Sequence, residues 1–173
     1  TERLMGAPAP LLFDEVPPHQ PLDAAQATSL CADIEAELSP QAQRVFTAHA
    51  AFFGWLVEGS PFLARLLRRH GEVLDALCEQ SVADYVVECL AALEADMGTC
   101  DNRDAAMAMM RQARNRLALA IALADLADHW DVEAVTQALT RLADMSVACG
   151  LDFLLREAVR DEKLTKFSAA GLV

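Results

Sequence analysis

The stretch RDAAMAMMRQARNRLALAIALADLAD, residues 103–128, decides the fold of this 173-residue chain. It contains no proline or glycine and consists mainly of Ala, Leu and Met, which favour helices. Apolar residues cover most of its helical circumference, and the charged residues form a narrow strip: Arg103, Asp104, Arg111, Arg114, Asp125 and Asp128. The pattern predicts a long helix over residues 103–128 that lies at the centre of a helical bundle.

A second long helix is predicted over residues 132–162, with Asp131 as its N-cap. At 100° per residue its apolar side holds Val132, Val135, Leu139, Leu142, Val147, Phe153 and Leu154. The corner at His129 and Trp130 is tight, so we expect the two long helices to run antiparallel.

Shorter helices are predicted before this pair. Their starts are marked by possible N-caps at Asp23, Ser39, Ser60 and Ser81, and proline follows two of the serines at the first helical position. The expected helices cover residues 23–38, 40–57, 61–69, 72–79 and 81–97. Residues 1–21 are rich in proline and are predicted to be an extended arm. We therefore expect an all-α antiparallel bundle, in which residues 22–98 form the shorter helices and residues 99–166 form the long pair.

Composition excludes two classes of partner. The net charge of −12 argues against nucleic acid, because phosphate binding requires clustered Lys and Arg. Residues 1–102 hold 5 basic and 16 acidic side chains, whereas residues 103–173 hold 9 and 10. The longest uncharged stretch, residues 45–57, is shorter than the roughly 20 apolar residues of a membrane span. The sequence predicts a soluble, cytoplasmic protein.

No motif in the sequence predicts catalytic, cofactor-binding or metal-binding residues. There is no phosphate-binding Gly-rich loop, and the four histidines have no partner at a metal-ligand spacing. The five cysteines lack close pairs and are expected to be reduced and buried as small hydrophobic residues: Cys31, Cys78, Cys89, Cys100 and Cys149.

Arg116 is the residue that breaks the pattern of the central helix. It projects onto the apolar side, with Met109, Leu119 and Leu123 as neighbours. A buried guanidinium needs a carboxylate or several carbonyl groups, because an unpaired buried charge is costly. Arg116 is therefore expected to form a buried ion pair or to extend its charged end to solvent, and the functional alternative is a contact to a neighbouring domain or an anionic ligand.

Several blocks resemble one known family when they are taken in order. They are SPFLARLLRRH (residues 60–70), EVLDAL (72–77), RQARNRLALAIALADL (111–126), WDVEAVT (130–136) and LTRLAD (139–144). Their order and spacing are similar to the helical region of the bifunctional glutamine synthetase adenylyltransferase/adenylyl-removing enzymes, just before the first nucleotidyltransferase domain. The resemblance covers residues 40–173.

The resemblance implies a function that the residues alone do not. It implies a parent enzyme that adds and removes AMP on a tyrosine of glutamine synthetase, uses ATP and Mg²⁺, and responds to a PII-type signalling protein. This chain would be an N-terminal helical scaffold, inactive alone, with residues 167–173 beginning the missing nucleotidyltransferase domain. The alternative is a stand-alone, non-catalytic helical interaction module, which the missing motifs and the acidity of residues 1–102 favour.

Overall fold

A computed structural model describes residues 12–13, 16 and 19–163 of the chain. These residues form helices joined by short turns, with no strand among them, which confirms the predicted all-α class. The helices are α1 (Ala24–Glu35), α2 (Pro40–Ala48), α3 (Ala50–Gly59), α4 (Pro61–Arg69), α5 (Glu72–Glu79), α6 (Val82–Thr99), α7 (Arg103–Leu126) and α8 (Val132–Arg160). In the part of the chain that is described, no helix is both long enough and apolar enough to span a bilayer.

Polar side chains cap most of the helix N-termini. The predicted caps Asp23, Ser39, Ser60, Ser81 and Asp131 each accept a hydrogen bond from an N–H group in the first turn. Asn102 caps α7 in the same way. These local signals place the helix starts, because a side-chain oxygen satisfies a backbone donor that the helix leaves unpaired.

The single helix predicted over residues 40–57 is wrong, because the chain breaks at His49 between α2 and α3. The break separates two packing partners: α2 lies against α5, whereas α3 lies against α1 and α4. It also stacks Phe46 on Phe53 with ring centroids 4.4 Å apart, and both rings are buried. Neither proline nor glycine marks the break, so tertiary packing determines it.

Helix α7 is the centre of the bundle, as predicted. It packs against α4, α5, α6 and α8, and its side chains Leu117, Leu119 and Leu123 are fully buried. Towards its N-terminus α7 contributes to a second, smaller apolar cluster with α6 and α8, made of Leu93, Met97, Cys100, Ala106, Ala113, Cys149 and Phe153.

Helix α8 is buried along a narrower strip than predicted. Its buried residues are Ala138, Leu142, Cys149 and Phe153. Four residues expected on the buried side, Val132, Leu139, Val147 and Leu154, are exposed instead. The reason is geometric. Helix α8 packs mainly against α6 and α7, so only the side that contacts these two helices is buried, and the rest of its wide apolar surface stays exposed.

The described part of the predicted arm lies against the bundle. Leu12 is buried, and Phe13 and Val16 pack on the main core. The His19 ring stacks on Trp55 at 4.0 Å, with its Nε2 3.3 Å from the carbonyl oxygen of Leu126. The remainder of residues 1–21 lies outside the described residues, as does the predicted further domain at residues 167–173.

The corner between α7 and α8 is built on a left-handed residue. Asp128 has φ of 56°, and the N–H group of His129 donates to the carbonyl oxygen of Ala124 at 2.9 Å. This is the hydrogen-bond pattern of a Schellman motif, in which glycine is the usual left-handed residue because it has no Cβ.

Replacing Asp128 with glycine should stabilise the protein. We expect Asp128→Gly to raise the free energy of unfolding by about 0.5–1 kcal/mol, because it relieves left-handed strain. Asp128→Ala, the matched control, keeps the Cβ and should lower the stability. Chemical denaturation monitored by circular dichroism measures both, and a less stable glycine variant would contradict the strain argument.

Candidate interaction surface and domain junction

The second half of α8 carries an exposed apolar surface, which we call the α8 face. Its residues are Val147, Leu151, Leu154 and Leu155, with 47% to 70% of each residue exposed. In the first half of the helix, the same side holds polar residues at spacings of three and four: Glu133, Gln137, Thr140 and Asp144. Isolated exposed apolar residues are ordinary, but a contiguous group marks a contact surface.

An apolar pocket borders the α8 face. It has a volume of about 290 Å³ and lies between the start of α7 and the second half of α8. Met107, Met110, Gly150, Phe153 and Leu154 line it, and Arg103 stands at its rim. Met107 is half-exposed, so the pocket is continuous with the α8 face and opens to solvent. Flexible methionine side chains suit such a site, because they adapt to the shape of a partner.

Two arginines fix the end of α8 to the turn between α6 and α7. Arg156 donates to the carbonyl oxygens of Met97 and, at 3.1 Å, of Cys100, and it pairs with Asp152 at 2.8 Å. Arg160 pairs with the Asp101 carboxylate and donates to its carbonyl oxygen at 3.1 Å. Both carbonyls lie at the C-terminal end of α6, where Met97 also accepts from the N–H of Cys100 at 3.3 Å, so Arg156 acts as an additional C-terminal cap supplied by another helix. This arginine clamp sets the position from which the chain leaves α8.

Removing Arg156 should destabilise this junction. Arg156→Met keeps the aliphatic stem but loses the hydrogen bonds to the α6 carbonyls, and we expect a loss of about 1–2 kcal/mol for these half-buried, charge-assisted bonds. Arg111→Met, at an exposed position on α7, should change stability by less than about 0.5 kcal/mol. Urea unfolding of both variants tests this, and equal effects would refute the cap.

Arg116 forms an ion pair at the surface. Its Nε lies 2.9 Å from Oε1 of Glu72, at the start of α5, and the two side chains are 40% and 50% exposed. The same oxygen lies 3.4 Å from Nδ1 of buried His70. The predicted pairing is therefore formed, but it lies half-exposed at the edge of the bundle instead of in its interior. The pair joins α5 to α7.

Because the Glu72 side chain is half exposed, removal of its partner Arg116 should lower the free energy of unfolding only slightly. In Arg116→Met the carboxylate can still reach water, so we expect a loss of about 1 kcal/mol or less, where a buried pair would cost about 3–5 kcal/mol. The double variant with Glu72→Gln should restore part of the loss. A loss of stability as large as that expected for a buried ion pair, measured as a lowered melting temperature, would contradict the half-exposed position of the pair.

The described residues contain no group of side chains that is placed to hold a metal ion. Among residues 12–13, 16 and 19–163, no three His, Cys, Asp or Glu side chains are placed to hold a metal ion. They therefore do not fit the Mg²⁺ that the resemblance implies for the parent enzyme. Burial raises the pKa of the Cys31, Cys78, Cys89 and Cys149 thiols, which disfavours the reactive thiolate.

Comparison with known proteins places this surface in a family. A family model described as glutamate-ammonia ligase adenylyltransferase matches residues 53–170, which include Arg116, the arginine clamp and the α8 face. The chain belongs to this family. The suspected resemblance is thereby confirmed.

Curated members of the adenylyltransferase family are much longer than this chain. Proteins named bifunctional glutamine synthetase adenylyltransferase/adenylyl-removing enzyme from Xanthobacter autotrophicus and a Bradyrhizobium species are 33% and 31% identical to it, over 84% and 66% of its length. One from Rhodopseudomonas palustris is 39% identical over 59% of it. The aligned part makes up 10% to 15% of these relatives. No solved structure matches the chain.

Proposed function

We propose that this chain is the helical part of an enzyme that adds and removes AMP on a tyrosine of glutamine synthetase, and that it acts as the scaffold for a nucleotidyltransferase domain. The family match over residues 53–170 supports the enzyme class. The observation that carries the scaffold role is the α8 face, an unpartnered apolar surface on the last described helix.

The clamp and the face act together in this proposal. Arg156 and Arg160 hold the end of α8 against the α6–α7 turn, so a domain that follows would start from a fixed position. Full burial of an exposed Val or Leu contributes about 1.5–3 kcal/mol. Because the four side chains of the α8 face are already about half buried, covering them would contribute roughly 3–6 kcal/mol. That is enough to orient one domain on another.

The chemistry belongs to the whole enzyme. We propose that ATP and Mg²⁺ are bound by its nucleotidyltransferase domains, that glutamine synthetase is its substrate, and that a PII-type protein and glutamine synthetase are its partners in the cytoplasm. The names of the relatives, which include both adenylylation and adenylyl removal, support the reaction and glutamine synthetase as its substrate. We expect the described helices alone to turn over no substrate, because they carry none of the side-chain clusters that such chemistry needs.

A charged side chain on the α8 face should reduce the activity of the enzyme without unfolding the helices. In the full protein encoded by the gene that carries this sequence, we expect Leu151→Asp to reduce phosphorolytic release of AMP from adenylylated glutamine synthetase at least tenfold, because it disturbs domain packing worth several kcal/mol. The folding of the helical part should be unaffected, since Leu151 is already exposed.

Val132→Asp is the matched control for this experiment. Val132 is an exposed apolar residue on the same helix, far from the α8 face, and its replacement should leave the activity unchanged. AMP release is measured with purified adenylylated glutamine synthetase, orthophosphate and Mg²⁺. Full activity of Leu151→Asp would contradict the scaffold proposal.

A further inference from the structure

Helix α4 presents a basic and aromatic surface to solvent, which we call the α4 face. The apolar side of this helix is buried in the bundle. Four residues on its other side are exposed: Phe62, Arg65, Arg68 and Arg69. The guanidinium carbon of Arg65 lies 5.4 Å from the centre of the Phe62 ring, which places the cation over the aromatic face. Aromatic residues and arginine are enriched where proteins contact one another.

The arginines of the α4 face lie in an acidic part of the chain. Residues 1–102 contain 5 basic and 16 acidic side chains, and three of the five basic ones lie within residues 65–69. In the part of the chain that the structure describes, none of these three arginines has a carboxylate at ion-pair distance. Favourable interaction with the helix dipole accounts for Arg68 and Arg69, in the last turn of α4, but not for Arg65. Their guanidinium groups can therefore pair with carboxylates of another molecule.

A groove runs beside the α4 face, between α4 and α1. It has a volume of about 410 Å³. Its apolar lining comes from α1, α3 and α4: Leu30, Ile34, Val57, Pro61 and Ala64. Arg65 and Arg68 also line the groove, on the α4 side. Leu30 is 37% exposed and Phe62, next to Pro61, is 44% exposed, so apolar surface is accessible both in the groove and beside it.

Two carboxylates at the groove give it a polarity. Glu58 is already engaged, because it accepts hydrogen bonds from the N–H groups of Leu22 and Asp23 at 2.6 Å and 2.8 Å. Asp33 lies on the α1 side, too far from the arginines on the α4 side for an ion pair. The groove is therefore positive along α4 and negative along α1. A partner with carboxylates is attracted only to the α4 side.

The spacing of the two arginines in the groove fits a second helix. Arg65 and Arg68 are three residues apart, about 4.5 Å along the axis of α4. Carboxylates three or four residues apart on another helix are about 5–6 Å apart, so two of them can pair with the two arginines. Apolar residues on the adjacent side of such a helix would cover Leu30 and the groove, as in other complexes of an amphipathic helix with a groove.

We propose that the groove between α1 and α4 binds an amphipathic helix of a partner protein. Acidic side chains of that helix pair with Arg65 and Arg68, and its apolar side chains cover Leu30 and Phe62. The α4 face is separate from the α8 face, because α4 packs against α1, α3 and α7, whereas α8 packs against α6 and α7. The proposal therefore goes beyond the scaffold role and does not depend on it.

A fluorescein-labelled helical peptide tests the groove directly. The probe is about 15 residues long and consists of Glu, Leu and Ala, with Glu and Leu on adjacent sides, and in the control peptide Lys replaces every Glu. We expect the acidic peptide to bind the 173-residue chain saturably in an anisotropy titration, and more tightly than the basic peptide. The net charge of −12 favours the basic peptide, so this preference requires a local positive site. Tighter binding of the basic peptide, or no saturable binding of the acidic one up to about 1 mM, would overturn the proposal.

Substitutions in the groove locate the bound peptide. Arg65→Glu and Arg68→Glu should each weaken binding of the acidic peptide at least about tenfold, because an attractive pair becomes repulsive. Asp33→Asn should strengthen binding about twofold to fivefold, because it removes a repulsive carboxylate. Arg111→Glu, the matched control, makes the same change in net charge at an exposed position on α7 and should alter the affinity by less than about twofold. Equal effects of Arg111→Glu and Arg65→Glu would refute a specific site.

Further measurements distinguish this partner from other occupants. Circular dichroism checks that each variant keeps its helices, and Arg65→Gln takes the place of Arg65→Glu if the charge reversal unfolds the chain. A dimer that Arg65→Glu dissociates would assign the α4 face to a second copy, and binding of an oligonucleotide that requires Arg65 would assign it to nucleic acid. Either result would overturn the proposal. Leu151→Asp, on the α8 face, should leave peptide binding unchanged, so failure here is distinct from failure of the scaffold proposal.

Discussion

Burial of α7 is the constraint on which the rest of the structure depends. Leu117, Leu119 and Leu123 are fully buried, and the helix contacts α4, α5, α6 and α8. Because its apolar residues cover most of its circumference, α7 is stable only when other helices surround it. The short helices cover one part of it, and α6 and α8 cover the rest. Each surrounding helix has one side on α7 and another directed outwards.

The side of α8 that faces away from α7 carries the candidate interaction surface. Its first half is polar, as expected of a helix that faces solvent, and its second half is apolar and exposed. The arginine clamp holds this second half against the α6–α7 turn, so the exposed surface has a defined position. A rigid apolar surface at the end of the bundle is what a neighbouring domain requires for precise docking. We propose that the fold supplies positioning for such a domain.

Local signals made most of the fold predictable from sequence. Capping residues act within one turn, so Asp23, Ser39, Ser60, Ser81 and Asp131 marked helix starts that the structure confirms. The break at His49 was missed because it depends on the different partners of α2 and α3. The exposure of Arg116 has a similar origin, because the position of its partner Glu72 at the edge of the bundle is a tertiary property.

The candidate site was harder to predict, because exposure depends on which neighbours are present. The sequence assigned Val147 and Leu154 to a buried side, and only packing shows that α6 and α7 leave them uncovered. The spacing of four residues predicts only a pair of Arg156 with Asp152, whereas Arg156 also donates to carbonyl oxygens 56 and 59 residues away in the chain. One feature of the sequence did indicate an exposed apolar surface. The apolar side of α8 is wider than the strip that its packing against neighbouring helices can bury.

We propose that these helices are the front part of an adenylyl-transferring enzyme whose catalytic residues lie elsewhere in the protein. The most direct measurement is to sequence the gene immediately downstream of the codon for Val173. The resemblance to this family implies an open reading frame that encodes a Gly-rich strand and turn, followed within a few tens of codons by an Asp-x-Asp motif. A stop codon directly after Val173 would contradict it and would leave a free helical module.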